Sequence, residues 1–250
     1  MHLVTTTTLR WVSVFIDVGA DLFDTSASFW TAATDSVAGT AVGDHGEFLP
    51  LEPATGHPCL WLQRTDAGSA ACHPDLYVDD IEAMADRAVG LGATRTSTSD
   101  GIVVLRSPGL MPFCVVRHRD QSVRPEPTGR AGARSIVDQL CLDIPADRFD
   151  DESDFWSALT RWPRQDQSPS EFGRLVRPAG IPYAFLLQRL DDEQPSVGAH
   201  LDLACEDREA VTARHETWGA EVVRRTPGWT VMRDPTGLVY CNTDRRPGAV

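Results

Sequence analysis

The chain has 250 residues, of which 42% are hydrophobic and 24% charged, and a formal net charge of −13. That length accommodates two domains of ordinary size, each able to bury its own core. The negative charge repels polyanions and anionic lipid, so no nucleic-acid or membrane partner is expected, and no apolar run is long enough to span a bilayer.

The N-terminus, Met1-His2-Leu3-Val4 and a threonine run, lacks the basic start and apolar stretch of a secretory signal, so a cytoplasmic location is expected. Leu9 to Asp17 alternates and is β-branched, which predicts a strand. Asp24-Thr-Ser offers a capping residue ahead of a helix over Ala27 to Ala33. Glu47 to Leu51, Cys59 to Gln63 and Asp75 to Val78 read as strands. Ile81 to Leu91 is the clearest helix. Asp79 and Glu82 have capping-box spacing, Ile81, Met84, Ala85, Ala88 and Leu91 share one apolar face, and Gly92 is placed to end it. Strands follow at Ile102 to Arg106 and Phe113 to Arg117. A polar stretch with Pro125, Pro127, Gly129 and Gly132 reads as a linker. The pattern then returns: a strand at Ile136 to Ile144, a helix at Ser153 to Leu159, strands at Ala184 to Gln188 and Leu201 to Cys205, a helix at Arg208 to Trp218, and strands at Thr230 to Arg233 and Leu238 to Cys241. Each half therefore reads β-α-β-β twice, with room for one more short strand in each.

The return is an internal repeat. His73-Pro-Asp75-Leu76 reappears as His200-Leu-Asp202-Leu203, Arg87 as Arg214, Gly92-Ala93 as Gly219-Ala220, Arg106-x-Pro108 as Arg233-x-Pro235 and Cys114 as Cys241. The offset holds at about 127 residues without a gap, too long for a solenoid and right for a whole domain. Upstream the register slips slightly, with Phe29-Trp30 matching Phe155-Trp156 and Gln63-Arg64 matching Gln188-Arg189. The expected organisation is a first domain over 1–120, a linker over 121–134 and a second domain over 135–250.

The stretch HLDLACEDREAVTARHETWGAEVVRRTPGWTVMRDPTGLVYCNT is similar to the second half of vicinal-oxygen-chelate domains. The first copy matches more loosely through HPDLYVDDIEAMADRAVGLGA and VVLRSPGLMPFCVV, and the Phe-Trp pairs resemble those that follow the first strand in this superfamily. The resemblance implies an α+β fold of two tandem glyoxalase-like domains. Each would consist of paired βαβββ units forming a curved, cup-like mixed sheet with helices outside. The superfamily includes metal-dependent isomerases, dioxygenases and other enzymes. It also includes bleomycin-resistance-like proteins that only sequester a drug, so the fold leaves the function open.

In metal-dependent members of that superfamily, ligands come from the first, fifth and last strands. His73 and His200 fall at the fifth-strand position, with Asp75 and Asp202 two residues on and therefore on the same face. The resemblance aligns the last-strand glutamate with Pro112 and Val239, which cannot ligate, and Gln139 and Asp138 are the only first-strand candidates, in the second copy. His73, His200 and Gln139 are thus an incomplete set, and no metal cofactor is expected, with a divalent ion as the alternative. Trp11, Trp61, Trp229 and Tyr240 lie in or beside strands and are candidates to line a pocket with His73, His200 and Asp202; core packing is the competing reading. His215 lies on the stripe Val211–His215–Trp218 and reads as a structural histidine. The six cysteines include no C-x-x-C and read as buried thiols.

The expected function is binding of a small organic ligand by a protein with a degenerate metal site, sequestering an antibiotic or metabolite. The alternative is a lyase, isomerase or dioxygenase of the superfamily, using a divergent divalent-metal site or none. A monomer with paired domains or a homodimer is expected, with the better-formed pocket in the C-terminal half, where Trp229 and Tyr240 replace Ile102 and Phe113, or one pocket shared by the two halves at their interface.

Overall fold

A computed structural model describes residues 7–66, 70–166 and 171–248; the N-terminal stretch used for the location reading lies largely outside them. In the first half, β1 (Leu9–Gly19), α1 (Phe23–Thr34), β2 (Val37–Ala38), β3 (Phe48–Glu52) and β4 (Leu60–Thr65) form one βαβββ unit. β5 (Ala71–Val78), α2 (Ile81–Gly90), β6 (Thr94–Ser99), β7 (Ile102–Arg106) and β8 (Pro112–Arg117) form the next. The second half repeats both. Its first unit is β9 (Ser135–Pro145), α3 (Phe149–Thr160), β10 (Arg164–Asp166), β11 (Phe172–Leu175) and β12 (Ala184–Leu190). Its second is β13 (Gly198–Cys205), α4 (Arg208–Glu216), β14 (Glu221–Arg225), β15 (Trp229–Arg233) and β16 (Val239–Thr243). Each half builds an eight-stranded mixed sheet, ordered β2-β3-β4-β1-β5-β8-β7-β6 and β10-β11-β12-β9-β13-β16-β15-β14. The two orders are the same topology, as the repeat requires, and the fold is the α+β arrangement of two tandem domains.

The strands missing from the sequence reading are short or carry no clear alternation. β6, Thr-Arg-Thr-Ser-Thr-Ser, is exposed along its whole length, so it carries no hydrophobic alternation to betray it. α2 is capped by Asp80, whose Oδ1 accepts from Ala83 N at 3.0 Å, rather than by Asp79. Asp207 does the same for Ala210 N in α4. α1 begins at Phe23 with no side-chain cap; burying Phe23 anchors its first turn instead.

Packing density divides the chain along different lines from the repeat. One compact unit gathers Met1–Ser13, His73–Ser122 and Cys141–Gly198, and the other gathers Val14–Cys72, Val123–Leu140 and Ala199–Val250. Each unit thus holds one α1-type helix and one α2-type helix, drawn from opposite halves of the sequence. In the first unit, Phe155 and Trp156 of α3 pack edge-on against Phe113 of β8, at 5.9 and 5.2 Å between centroids. In the second, Phe29 and Trp30 of α1 lie against Tyr240 of β16 at 5.9 and 5.3 Å. The Phe-Trp pair is therefore core in both copies, because a helix face of large aromatics needs an apolar sheet face to cover it.

Candidate functional site

In the first unit the parallel pairing of β5 and β8 sets Asp75 beside Cys114. His73, two residues before Asp75, shares its face. The result is a buried His–Asp–Cys cluster whose donor atoms all lie within 4.8 Å of one another. His73 Nε2 stands 3.5 Å from Asp75 Oδ1. Burial and the Asp75 charge push the Cys114 thiol up to about 12, against a smaller lowering by His73. Unliganded Cys114 is therefore a neutral thiol at physiological pH.

The second unit repeats the construction with an addition. β13 and β16 pair in parallel with Asp202 beside Cys241. His200 Nε2 lies 3.4 Å from Asp202 Oδ1 and 3.6 Å from Cys241 Sγ. Gln139 of β9 donates its amide to Asp202 Oδ2 at 2.6 Å. Burial works to raise the Asp202 carboxyl, but bonds from His200 and Gln139 and the Arg245 charge outweigh it and hold the group below its usual range. Arg245 also pairs with buried Asp138 at 2.7 Å. Antiparallel pairing of Val231 with Cys241 and of Trp229 with Thr243 brings half-buried Trp229 onto the same sheet face, because opposed residues of a ladder point the same way.

The structure thus joins His200, Asp202 and Gln139, and His73 with Asp75. Trp11 is fully buried in the first unit. Trp61 stacks on Phe15 at 5.6 Å. Tyr240 is placed on the opposite face from Cys241, toward α4, where its hydroxyl lies 2.9 Å from His215 Nδ1. His215 is the structural residue expected, fully buried in that core.

The sequence reading missed Cys114 and Cys241. It set the last-strand ligand position at Pro112 and Val239, but the strand register brings the cysteines, two residues further on, beside the carboxylates. Their recurrence at the repeat offset was the available signal. All six cysteines are buried and none is in a disulfide, so these thiols are not consumed in cross-links.

A family model described as a glyoxalase-like domain matches residues 13–116 and again 139–243. No curated protein matches the chain. Among solved structures, the Mn(II)-bound glyoxalase from Novosphingobium aromaticivorans superposes with a TM-score of 0.66 at 16% identity, over 95% of this chain and 83% of that one. A variant of homoprotocatechuate 2,3-dioxygenase from B. fuscum gives 0.65 at 12% identity, over 98% and 74%. A mutant 4-hydroxymandelate synthase from Streptomyces coelicolor gives 0.60 at 18%, over 97% and 94%. These likenesses concern the fold. With two matched copies spanning most of its length, the chain belongs to the glyoxalase-like domain family of the vicinal-oxygen-chelate superfamily.

Proposed function

We propose that the chain binds a small organic molecule, an antibiotic or metabolite, on the sheet face formed by His200, Asp202, Cys241, Gln139 and Trp229. The observation that carries this reading is the pairing of a buried, charged Asp202 with Gln139 and His200 on the face that presents Trp229. A few fixed polar groups beside an aromatic surface are what a small-molecule site uses to orient its ligand. No helix among the described residues is long and apolar enough to cross a membrane.

A second reading, a metal-dependent enzyme, is favoured by a separate observation. Asp75 Oδ1 and Asp202 Oδ1 are buried and have no close donor, standing only at the longer distances of 3.5 and 3.4 Å from the imidazoles of His73 and His200, and in the first copy the Cys114 thiol lies beside the carboxylate and the imidazole. Carboxylate, imidazole and thiol together fit a borderline-soft divalent ion such as zinc. His73, Asp75 and Cys114, whose donor atoms lie within 4.8 Å of one another, would hold it in the first copy. A bound ion would supply Lewis-acid polarisation of a ligand oxygen. The chain's own contribution is to fix the imidazoles by their carboxylates and, in the second copy, to orient Asp202 through Gln139.

The two readings separate in one experiment. Protein stripped with a chelator is screened for ligands by thermal shift, with and without added zinc or manganese, beside the variants His200→Ala and Trp229→Ala. The binding reading expects a ligand that still stabilises the stripped protein, and a loss of that shift in both variants. A shift that appears only with metal overturns it in favour of the enzyme.

A further inference from the structure

On the far side of α4, within the second unit, lies a cleft of about 770 Å³ walled by the end of α1, the segment 128–133 and α4. Its charge differs from that of the protein. Arg130 and Arg214 line it together with one carboxylate, Asp35, in a chain that is strongly acidic as a whole. Arg214 donates to Ala133 O at 3.2 Å and Ser135 Oγ at 3.4 Å, and its guanidinium stands 5.7 Å from the Trp218 ring centre. Its Nε is buried without a hydrogen bond. Gly129, at φ +106, lets the backbone approach this guanidinium; a Cβ there would lie 3.2 Å from Arg214 Nη1.

The repeat supplies an internal control. Asp35 and Arg161 are the left-handed residues that close α1 and α3, so Ala33 and Leu159, each two residues earlier, are equivalent. Gly92 and Gly219, both at positive φ and both with a built Cβ 3.4 Å from a proline, make Leu91 and Trp218 equivalent in turn. In the first unit Leu159 is fully buried. Arg87, the counterpart of Arg214, donates to the carbonyls of Leu159 and Thr7. The fold is satisfied at this place by two leucines. In the second unit an alanine opens space, and a tryptophan supplies a flat wall beside an arginine.

We propose that this cleft binds a small organic monoanion: its carboxylate held by Arg130 and Arg214, its flat apolar body lying on Trp218 and Ala33. Arginine suits a carboxylate by its fork of donors, and an arginine over an aromatic ring leaves that ring a surface for a planar ligand. Asp35 opposes a second negative charge on the ligand. The site is on the helix side of the sheet and does not use His200.

The test is titration of the full chain with benzoate, read by tryptophan fluorescence and calorimetry, beside inorganic phosphate. The variants are Arg130→Ala, at an exposed position, Trp218→Leu, which installs the first copy's residue, and His200→Ala. Saturable one-to-one binding of benzoate is expected, weakened about tenfold or more by Arg130→Ala and by Trp218→Leu, unchanged in His200→Ala and tighter than phosphate. Unaltered melting temperatures show that the variants fold. Absence of saturable benzoate binding, wild-type affinity in either cleft variant, loss in His200→Ala, or phosphate binding as tight as benzoate would each overturn the proposal.

Discussion

Trp30 donates its indole N–H to Asp234 Oδ2 at 2.9 Å, across 204 residues of sequence. Asp234 Oδ1 also accepts from Thr236 N, Thr236 Oγ1 and Leu238 N, so one buried carboxylate ties a helix to a turn. The first unit reaches the same end with different residues. Glu152 accepts from Trp156 Nε1 at 2.8 Å and from Gly109 N at 2.7 Å, while Ser107, the counterpart of Asp234, accepts from Met111 N. The carboxylate has moved from the turn to the helix, and Ser26 stands where the repeat would put Glu152.

Asp234→Ala leaves the Trp30 N–H and the turn amides buried without an acceptor, and a loss of about 3 kcal/mol in urea unfolding is expected. In the first unit, Glu152→Ser alone is expected to destabilise by a similar amount, and Ser107→Asp in that background to restore at least about 1 kcal/mol. Strict additivity in that cycle would show that the two carboxylates are not interchangeable.

Stability should depend on His215. Burial, with a smaller effect of the Arg214 charge, lowers its folded-state value from 6.5 to about 3. The unfolded chain therefore binds a proton that the folded one refuses. The stability it confers is complete above about pH 6.5 and is lost as the pH falls toward 3, at about 1.4 kcal/mol per pH unit. Glu152, raised by burial despite its bonds to Ser107, Gly109 and Trp156, acts with the opposite sign and gains as the pH falls. The measurement is thus the difference between wild type and His215→Gln. Wild type should lose about 2 kcal/mol more than the variant between pH 6.5 and about pH 5. Parallel curves would refute the assignment.

Leu110 has φ +68 and is 46% exposed, where the second copy has Gly237 at φ +93. A left-handed leucine costs roughly 1–2 kcal/mol, against roughly 0.5–1 for the extra freedom of a glycine in the unfolded chain. Leu110→Gly should raise stability by about 0.5 kcal/mol. Gly237→Ala, where a Cβ meets nothing within 4 Å, should lower it by about 1 kcal/mol through backbone conformation alone. A melting temperature that falls in the first variant or holds in the second would contradict this.

The cysteines are all buried, and burial pushes the thiols of Cys114 and Cys205 up to about 12. A buried neutral thiol is a poor nucleophile. Native protein at neutral pH should take up no iodoacetamide at these two positions by peptide mapping, while denatured protein should be labelled at all six cysteines. Rapid native labelling of Cys114 would mean that its cluster opens to solvent.

The repeat alone determined the duplicated fold, because identical spacing of strand, helix and glycine signals can only produce the same unit twice. It also placed His73, Asp75, His200 and Asp202, since residues two apart in a strand share a face wherever the strand ends up. Tertiary structure decided the rest. That Cys114 and Cys241 stand beside the carboxylates follows from parallel strand register, which joins residues about 39 apart and leaves no local trace. That Tyr240 turns toward His215 while Cys241 turns toward His200 is a matter of one step in the pleat, and a one-residue shift reverses every side chain on a strand. The polar strand β6 was silent because nothing along it alternates. The pairing of Trp30 with Asp234 lay beyond any periodicity, since it depends on which helix covers which sheet, and burial of large apolar faces from opposite halves of the chain chooses that partner.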